Sequence, residues 1–186
     1  MMSDAGYVIF LAIMVVVISA AFFAMGIKNK KYLNAQKENN TEKRAMLDLM
    51  SRVMEGQYPN YTYVVGYYTK TTQKLNTTTY YYFPYILAFT AEELIVFPFI
   101  KKEGQLYIRN RLIVDWNLTD FQYKLRKNGV TLTLKIMGEK MPINIDPVIK
   151  GNGIEKSDRP LCIFQEQEYE KLKMLLPEFA SKAKKA

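Results

Sequence analysis

The sequence predicts one membrane-spanning helix followed by a single α+β, mainly antiparallel β domain of six or seven strands that a C-terminal helix closes. Three observations carry this. No residue from Ala5 to Ile27 is charged; apolar residues recur at every second position from residue 61 onward; and a helical period returns over about Gln165 to Lys182. The 186 residues leave room for one ordinary domain beside an anchor, since domains commonly hold roughly 100 to 150 residues.

The anchor comes first. Tyr7 to Phe23 is almost entirely Val, Ile, Leu, Ala, Met and Phe, and an apolar helix of about 20 residues crosses the hydrocarbon. The expected division is a short extracytoplasmic segment, 1–6, and a span, 7–27. Lys28, Lys30 and Lys31 follow the run directly, whereas only Asp4 precedes it. The side rich in lysine stays in the cytoplasm, so the expected location is the cell membrane, single-pass, with the C-terminal domain cytoplasmic. Two alternatives compete. Ser19-Ala20-Ala21 supplies small residues of the kind a signal peptidase accepts, but a basic n-region is missing and the apolar run exceeds the roughly 7–15 residues of a signal core. Gly6 followed by Tyr7 resembles a prepilin processing site, which implies an extracytoplasmic, pilus-like structural protein; Leu11 stands where that family carries an acidic residue.

Residues 28–56 are expected to form a basic linker and an amphipathic helix. Residues 28–41 are rich in Lys, Asn and Glu and read as a solvated connector. From Glu42 to Met54 the apolar Ala45, Met46, Leu49, Met50, Val53 and Met54 recur at helical spacing, with Asn40 or Thr41 able to cap the start. Such a helix either lies on lipid or a partner or packs on the following domain. Gly56 and Pro59, which turn the chain at once into strands, favour packing.

The β domain, 57–186, opens with strand candidates at Tyr61–Thr69 and Thr78–Tyr85. Ile86–Phe89 and Leu94–Phe99 form a hairpin around residues 90–93, and Gln105–Val114 and Met141–Ile145 are further candidates, with Gly104, Pro142 and Pro147 as punctuation. The clearest local signal is Phe121, Tyr123 and Leu125 alternating with polar residues, then Asn128-Gly129, then Leu132, Leu134 and Ile136. This pattern predicts a hairpin with a type I′ turn. In the last helix Tyr169, Leu172, Leu175, Leu176 and Phe179 share one side, and Pro177 is expected to kink or end it.

Three stretches carry a family resemblance. Leu87-Ala88-Phe89-Thr90 running through Glu93-Leu94-Ile95-Val96, the polar turn Asn117-Leu118-Thr119-Asp120-Phe121, and the final helix together resemble the pleckstrin-homology-like (PH-like) domains of bacterial membrane proteins. The resemblance covers about two thirds of the chain and implies a half-open barrel plugged at one end by its last helix. Glu93 sits where the bacterial pattern often has a basic residue, and residues 147–162 form a longer stretch than that fold requires.

Composition narrows the chemistry. The chain has no histidine and one cysteine, Cys162. That excludes His-dependent triads, imidazole acid-base catalysis, His-ligated zinc and any intrachain disulfide. No phosphate-cradling glycine loop or nucleophile elbow is present. No catalytic residue, metal or cofactor is expected. A net charge of +8 favours acidic partners. Lys124, Arg126 and Lys135 should project from one face of the central hairpin. With Lys70, Lys74, Lys101 and Lys102 in predicted loops, they are candidates for anionic lipid headgroups at about 1 kcal/mol each. An ordinary solvated face is the bland reading of the same residues. Tyr80, Tyr81, Tyr82, Phe83 and Tyr85 make an aromatic slab that alternation divides between two faces, so core or protein contact is favoured over base stacking and nucleic acid is not expected. Trp116 reads as a packing residue. Glu166, Glu168 and Glu170 point in different directions on a helix and read as solvated. The sequence thus implies a membrane-anchored binding or scaffold module for a protein partner or for itself, with anionic-lipid binding as the alternative.

Overall fold

The computed structural model describes residues 4–74, 77–102, 105–136, 139–149 and 162–183. Helix α1 spans Asp4–Asn39. The sequence predicted a solvated connector from residue 28, yet the helix continues: Lys, Gln, Glu and Ala are good helix formers, and polarity removes burial without removing that propensity. Every described residue from Ile13 to Lys28 is exposed, with Phe22 and Phe23 at 71% and 72%. Among the described residues no helix is both long and apolar enough to cross a membrane.

Asn40 joins α1 to α2 (Thr41–Val53) in a left-handed conformation, φ 44° and ψ 44°, which asparagine tolerates better than most residues. Its side chain does not cap α2, as the sequence had suggested; Nδ2 donates instead to the Phe164 carbonyl at 2.9 Å. Met46, Met50 and Met54 form a buried stripe four residues apart. A 3-10 turn, Glu55–Asn60, then leads into the strands.

The strands are β1 (Thr62–Lys74), β2 (Thr77–Phe89), β3 (Leu94–Lys102), β4 (Gln105–Ile108), β5 (Leu112–Ile113), β6 (Thr119–Arg126), β7 (Gly129–Ile136), β8 (Glu139–Ile145), β9 (Val148–Ile149) and β10 (Ile163–Phe164), and helix α3 (Glu166–Ala183) follows. All pairings are antiparallel. Two meanders, β1–β4 and β6–β8, meet where β1 lies beside β8, in the order β4-β3-β2-β1-β8-β7-β6, with β5 on β3. The strands beyond the expected number are the two-residue β5, β9 and β10, too short to leave a periodic signal. Gln105–Val114 divides into β4 and β5, while Thr78–Tyr85 and Ile86–Phe89 merge into β2. Of the stretch 147–162, residues 150–161 lie outside the described residues, as does Gly104.

The first meander is covered on both faces. Val64, Leu87, Phe89, Leu94 and Val96 face Phe121, Leu132, Leu134, Ile143 and the α3 residues Tyr169, Leu172, Leu176 and Phe179. Tyr63, Val65, Ile86, Ala88, Ile95, Phe97 and Phe99 face the α2 methionines, Ile149 and Ile163. Two-sided burial explains why Ile86–Phe89 and Leu94–Phe97 read as unbroken apolar runs rather than alternating ones. The second meander is buried on one face only and keeps its alternation.

Where β1 meets β8, Gly66 admits a close approach: a Cβ there would stand 2.5 Å from Ile143 Cγ2 and 3.0 Å from the Asn144 carbonyl. Only Tyr67 pairs with β8, opposite Asn144, and the side chain of Gln165 closes the gap beside it. Its Oε1 accepts from the Val65 amide at 2.7 Å, and its Nε2 donates to the carbonyls of Val65 and Asp146, both at 2.8 Å. A side-chain amide thus acts as a strand partner at a buried corner.

Two local expectations change. In the β6–β7 hairpin Arg126 pairs with Gly129, so the turn residues are Lys127 and Asn128. Neither has positive φ, which rules out type I′. Gly129 serves close approach instead, since a Cβ there would lie 2.5 Å from the Ile145 carbonyl. Pro177 sits inside α3 without ending it. Pro177 and Lys173 are both exposed, so the carbonyl that proline leaves without a partner is on the solvent side, while Leu176 and Phe179 hold the helix to the core. At the far end of α3, Lys182 Nζ donates to Ala91 O at 2.6 Å and pairs with Glu92 at 2.8 Å, fastening α3 to the β2–β3 loop.

Candidate functional site

The outer face of β6–β8 collects the candidate cations. Phe121, Val130, Leu132, Leu134, Ile143 and Ile145 point into the core, so strand alternation turns Asp120, Gln122, Lys124 and Arg126, then Thr131, Thr133 and Lys135, then Lys140 and Asn144 outward. Lys124, Arg126 and Lys135 do share a face, and all three are exposed. Lys140, which the sequence reading left out by starting the strand at Met141, joins them directly opposite Lys135. The alternation of Met141, Ile143 and Ile145, carried back one residue, would have found it.

The face is not uniformly cationic. Lys135 also lies opposite Asp120, and Arg126 forms a 2.7 Å ion pair with Asp146. Asp146 Oδ2 further accepts from the Tyr67 hydroxyl at 2.7 Å. Burial first, and then that bond to a carboxylate, push the Tyr67 phenol up to about 12. Arg126 therefore serves the β1–β8 corner, leaving Lys124, Lys135 and Lys140 as the lysines that project from the sheet. Lys101 and Lys102, expected in a loop, belong instead to β3, opposite Leu106 and Gln105, and β2, β1 and β8 separate them from this face in the strand order. The five candidates do not converge on one site.

Lys70, expected in a loop, lies within β1 opposite Tyr81, and Lys74 lies opposite Thr77. β1 and β2 pair over 13 residues each. In contrast, β3 takes the other edge of β2 only from Tyr85 to Phe89. The outer half of this hairpin is a two-stranded ribbon that extends past the rest of the sheet. It carries most of the aromatic slab: Phe83 is exposed and stacks on Tyr68 at 6.0 Å, Tyr82 lies 6.2 Å from Tyr67, and the side chains of Tyr80 and Tyr81 lie outside the described residues. Tyr85 packs against the core.

The remaining candidates find structural roles. Trp116 stacks on Phe179 at 5.0 Å and donates to the Glu92 carbonyl at 3.0 Å. Glu168 pairs with Lys43 at 2.7 Å, tying α3 to α2, and Glu170 pairs with Lys173. Cys162 is buried, and its amide donates to the Glu42 carboxylate. Among the described residues no acidic or cysteine cluster could hold a metal ion.

Compared with protein-family models, curated proteins and solved structures, the chain finds no match.

Proposed function

We propose that this chain is a single-pass membrane protein whose β domain is a non-enzymatic binding module, holding a protein partner or a second copy of itself at the cytoplasmic face. The observation that carries it is α1. Ala5 to Ile27 lies on one helix with no charge, and its described apolar side chains are exposed all the way round. A helix apolar on every side needs an apolar surrounding, and residues 7–27 would span roughly 30 Å. Exposed Lys28, Lys30 and Lys31 follow at once, which supports a cytoplasmic domain.

The continuity of α1 to Asn39 makes the connection a stalk: about 18 Å of helix lies beyond Ile27. Holding the module there raises its effective concentration at the surface to about the millimolar range, so weak contacts become occupied. The two joined meanders with α3 across them support a PH-like half-open barrel. Topology is the test. In a Cys162→Ser background, K102C should react with a membrane-impermeant maleimide only after lysis; labelling in intact cells would overturn the cytoplasmic placement and favour the extracytoplasmic, pilus-like reading.

Lys124, Lys135 and Lys140 on one exposed face favour a second reading, recognition of anionic lipid. The variant K124E/K135E/K140E leaves the Arg126–Asp146 pair intact. If lipid is the ligand, binding to phosphatidylserine vesicles should fall about 100-fold, at about 1 kcal/mol for each lysine removed. Unchanged binding would reject that reading.

A further inference from the structure

We infer that Asn40 is a two-state elbow: left-handed, it folds α2 down onto the outer face of the first meander, and right-handed, it lifts α2 off that face as an extension of α1. One residue separates the two helices, since α1 ends at Asn39 and α2 begins at Thr41. Among the described residues two non-glycines have positive φ, Asn40 at 44° and Glu55 at 42°, and they stand at the two ends of α2. The left-handed region is costly for any residue with a Cβ, and such outliers cluster where a chain switches. The bend at Asn40 has further local costs. No side chain caps α2, so its first amides lack the acceptors that a continuing helix would supply, and Asn40 Oδ1 is buried without a hydrogen-bond partner. A right-handed Asn40 removes all of these at the elbow. Residues 4–53 then form one helix, in which the carbonyls of residues 37–39 accept from the first amides of α2.

The bent form is held by what α2 covers. Met46, Met50 and Met54 lie against Tyr63, Val65, Ile86 and Phe97; at the elbow Asn40 Nδ2 and Lys43 Nζ donate to the Phe164 carbonyl, and Lys43 pairs with Glu168. These contacts suit a cover that comes off, because methionine is unbranched and repacks readily. The far end of α2 supplies a second hinge. Glu55 and Gly56 are exposed, and nothing lies within 4 Å of where a Gly56 Cβ would stand. Just beyond, Tyr58 stays fixed to the sheet: its ring stacks on Tyr63 at 5.0 Å, and its carbonyl accepts from the Tyr63 hydroxyl at 3.0 Å. The strap therefore pivots between two hinges, and the core between the meanders, to which α2 gives no residue, keeps its packing. The direction of α1 and the exposure of the sheet face become one equilibrium, so whatever fixes either one shifts the other. This coupling goes beyond the binding-module reading and holds whether or not α1 lies in lipid.

The test compares N40A with N40G in the full chain, in a Cys162→Ser background and in whichever cell fraction carries it. Both substitutions remove the bond to Phe164, and they differ in backbone preference: glycine accepts the left-handed turn and is a poor helix residue, alanine the reverse. A cysteine replacing Met50 reports the lifted strap, and one replacing Val130, buried between the meanders, reports unfolding of the whole domain. N-ethylmaleimide should modify M50C about 100-fold faster in N40A than in N40G, with V130C equally slow in both. Equal rates at M50C, or V130C rising in step with it, would overturn the elbow. A second measurement reads the straight helix itself. Nitroxides on K30C and R52C, both at exposed positions, stand about 33 Å apart along one continuous helix. That separation should be populated in N40A and give way to a shorter one in N40G. Its absence from N40A, even with M50C reactive, would mean that α2 frays rather than straightens and would reject the two-state elbow.

Discussion

Gln165 is 1% exposed and stands in for a strand, so its replacement isolates what a buried amide contributes. Gln165→Leu keeps the volume but leaves the Val65 amide and the carbonyls of Val65 and Asp146 without this partner. The expected cost is about 3 kcal/mol, read as a lower denaturation midpoint at unchanged slope. Gly129→Ala should cost about 1–3 kcal/mol, because the added methyl meets the Ile145 carbonyl, which cannot rotate away. Tyr67 gives a pH signature. Its phenol is raised from 10.0 to about 12 in the fold, so the stability it contributes is complete below pH 10 and disappears as the pH rises toward about 12. The melting-temperature gap between the wild type and Tyr67→Phe should therefore hold steady up to pH 10 and close above it. None of these three roles was legible in the sequence. Gln165 sits among polar neighbours at the start of a helix, and Gly129 follows an asparagine in what reads as a turn. Only the meeting of β1 and β8, more than 70 positions apart, gives either residue its task.

At the scale of elements, period was readable wherever one face meets water. β6, β7 and α3 alternate or repeat plainly, and their boundaries follow from the residues alone. β2 and β3 are covered on both sides, so their apolar runs announced burial without saying by what. The answer is α2. Met50 is completely buried against the outer face of the first meander, and Met50→Ala should cost about 2–5 kcal/mol in the domain's unfolding free energy. Were α2 lying on lipid instead, that substitution would weaken membrane association and leave unfolding unchanged. The polar segment after Ile27 misled for a different reason: its composition reports what cannot be buried, and a solvated helix buries nothing. The lysines on β6–β8 were legible as a shared face because alternation is local. That Arg126 answers to Asp146 was not, because the ion pair spans the gap between β6 and the end of β8.

For the molecule as a whole, the apolar helix and the closing of the β domain by α3 were both present in the pattern of residues; the join between the two meanders was not. The cover on the outer side of the first meander comes from the same stretch of chain that leads out of α1. Met46, Met50 and Met54 arrive through the elbow at Asn40, and the bonds from Asn40 and Lys43 to Phe164 fasten that elbow to β10. A protease cut between Asn60 and Tyr61 would therefore not release an intact β domain. It would strip α2 away and lay bare Tyr63, Val65, Ile86 and Phe97, and the fragment would clump, whereas cleavage ahead of Asn40 would free a body with its lining still in place.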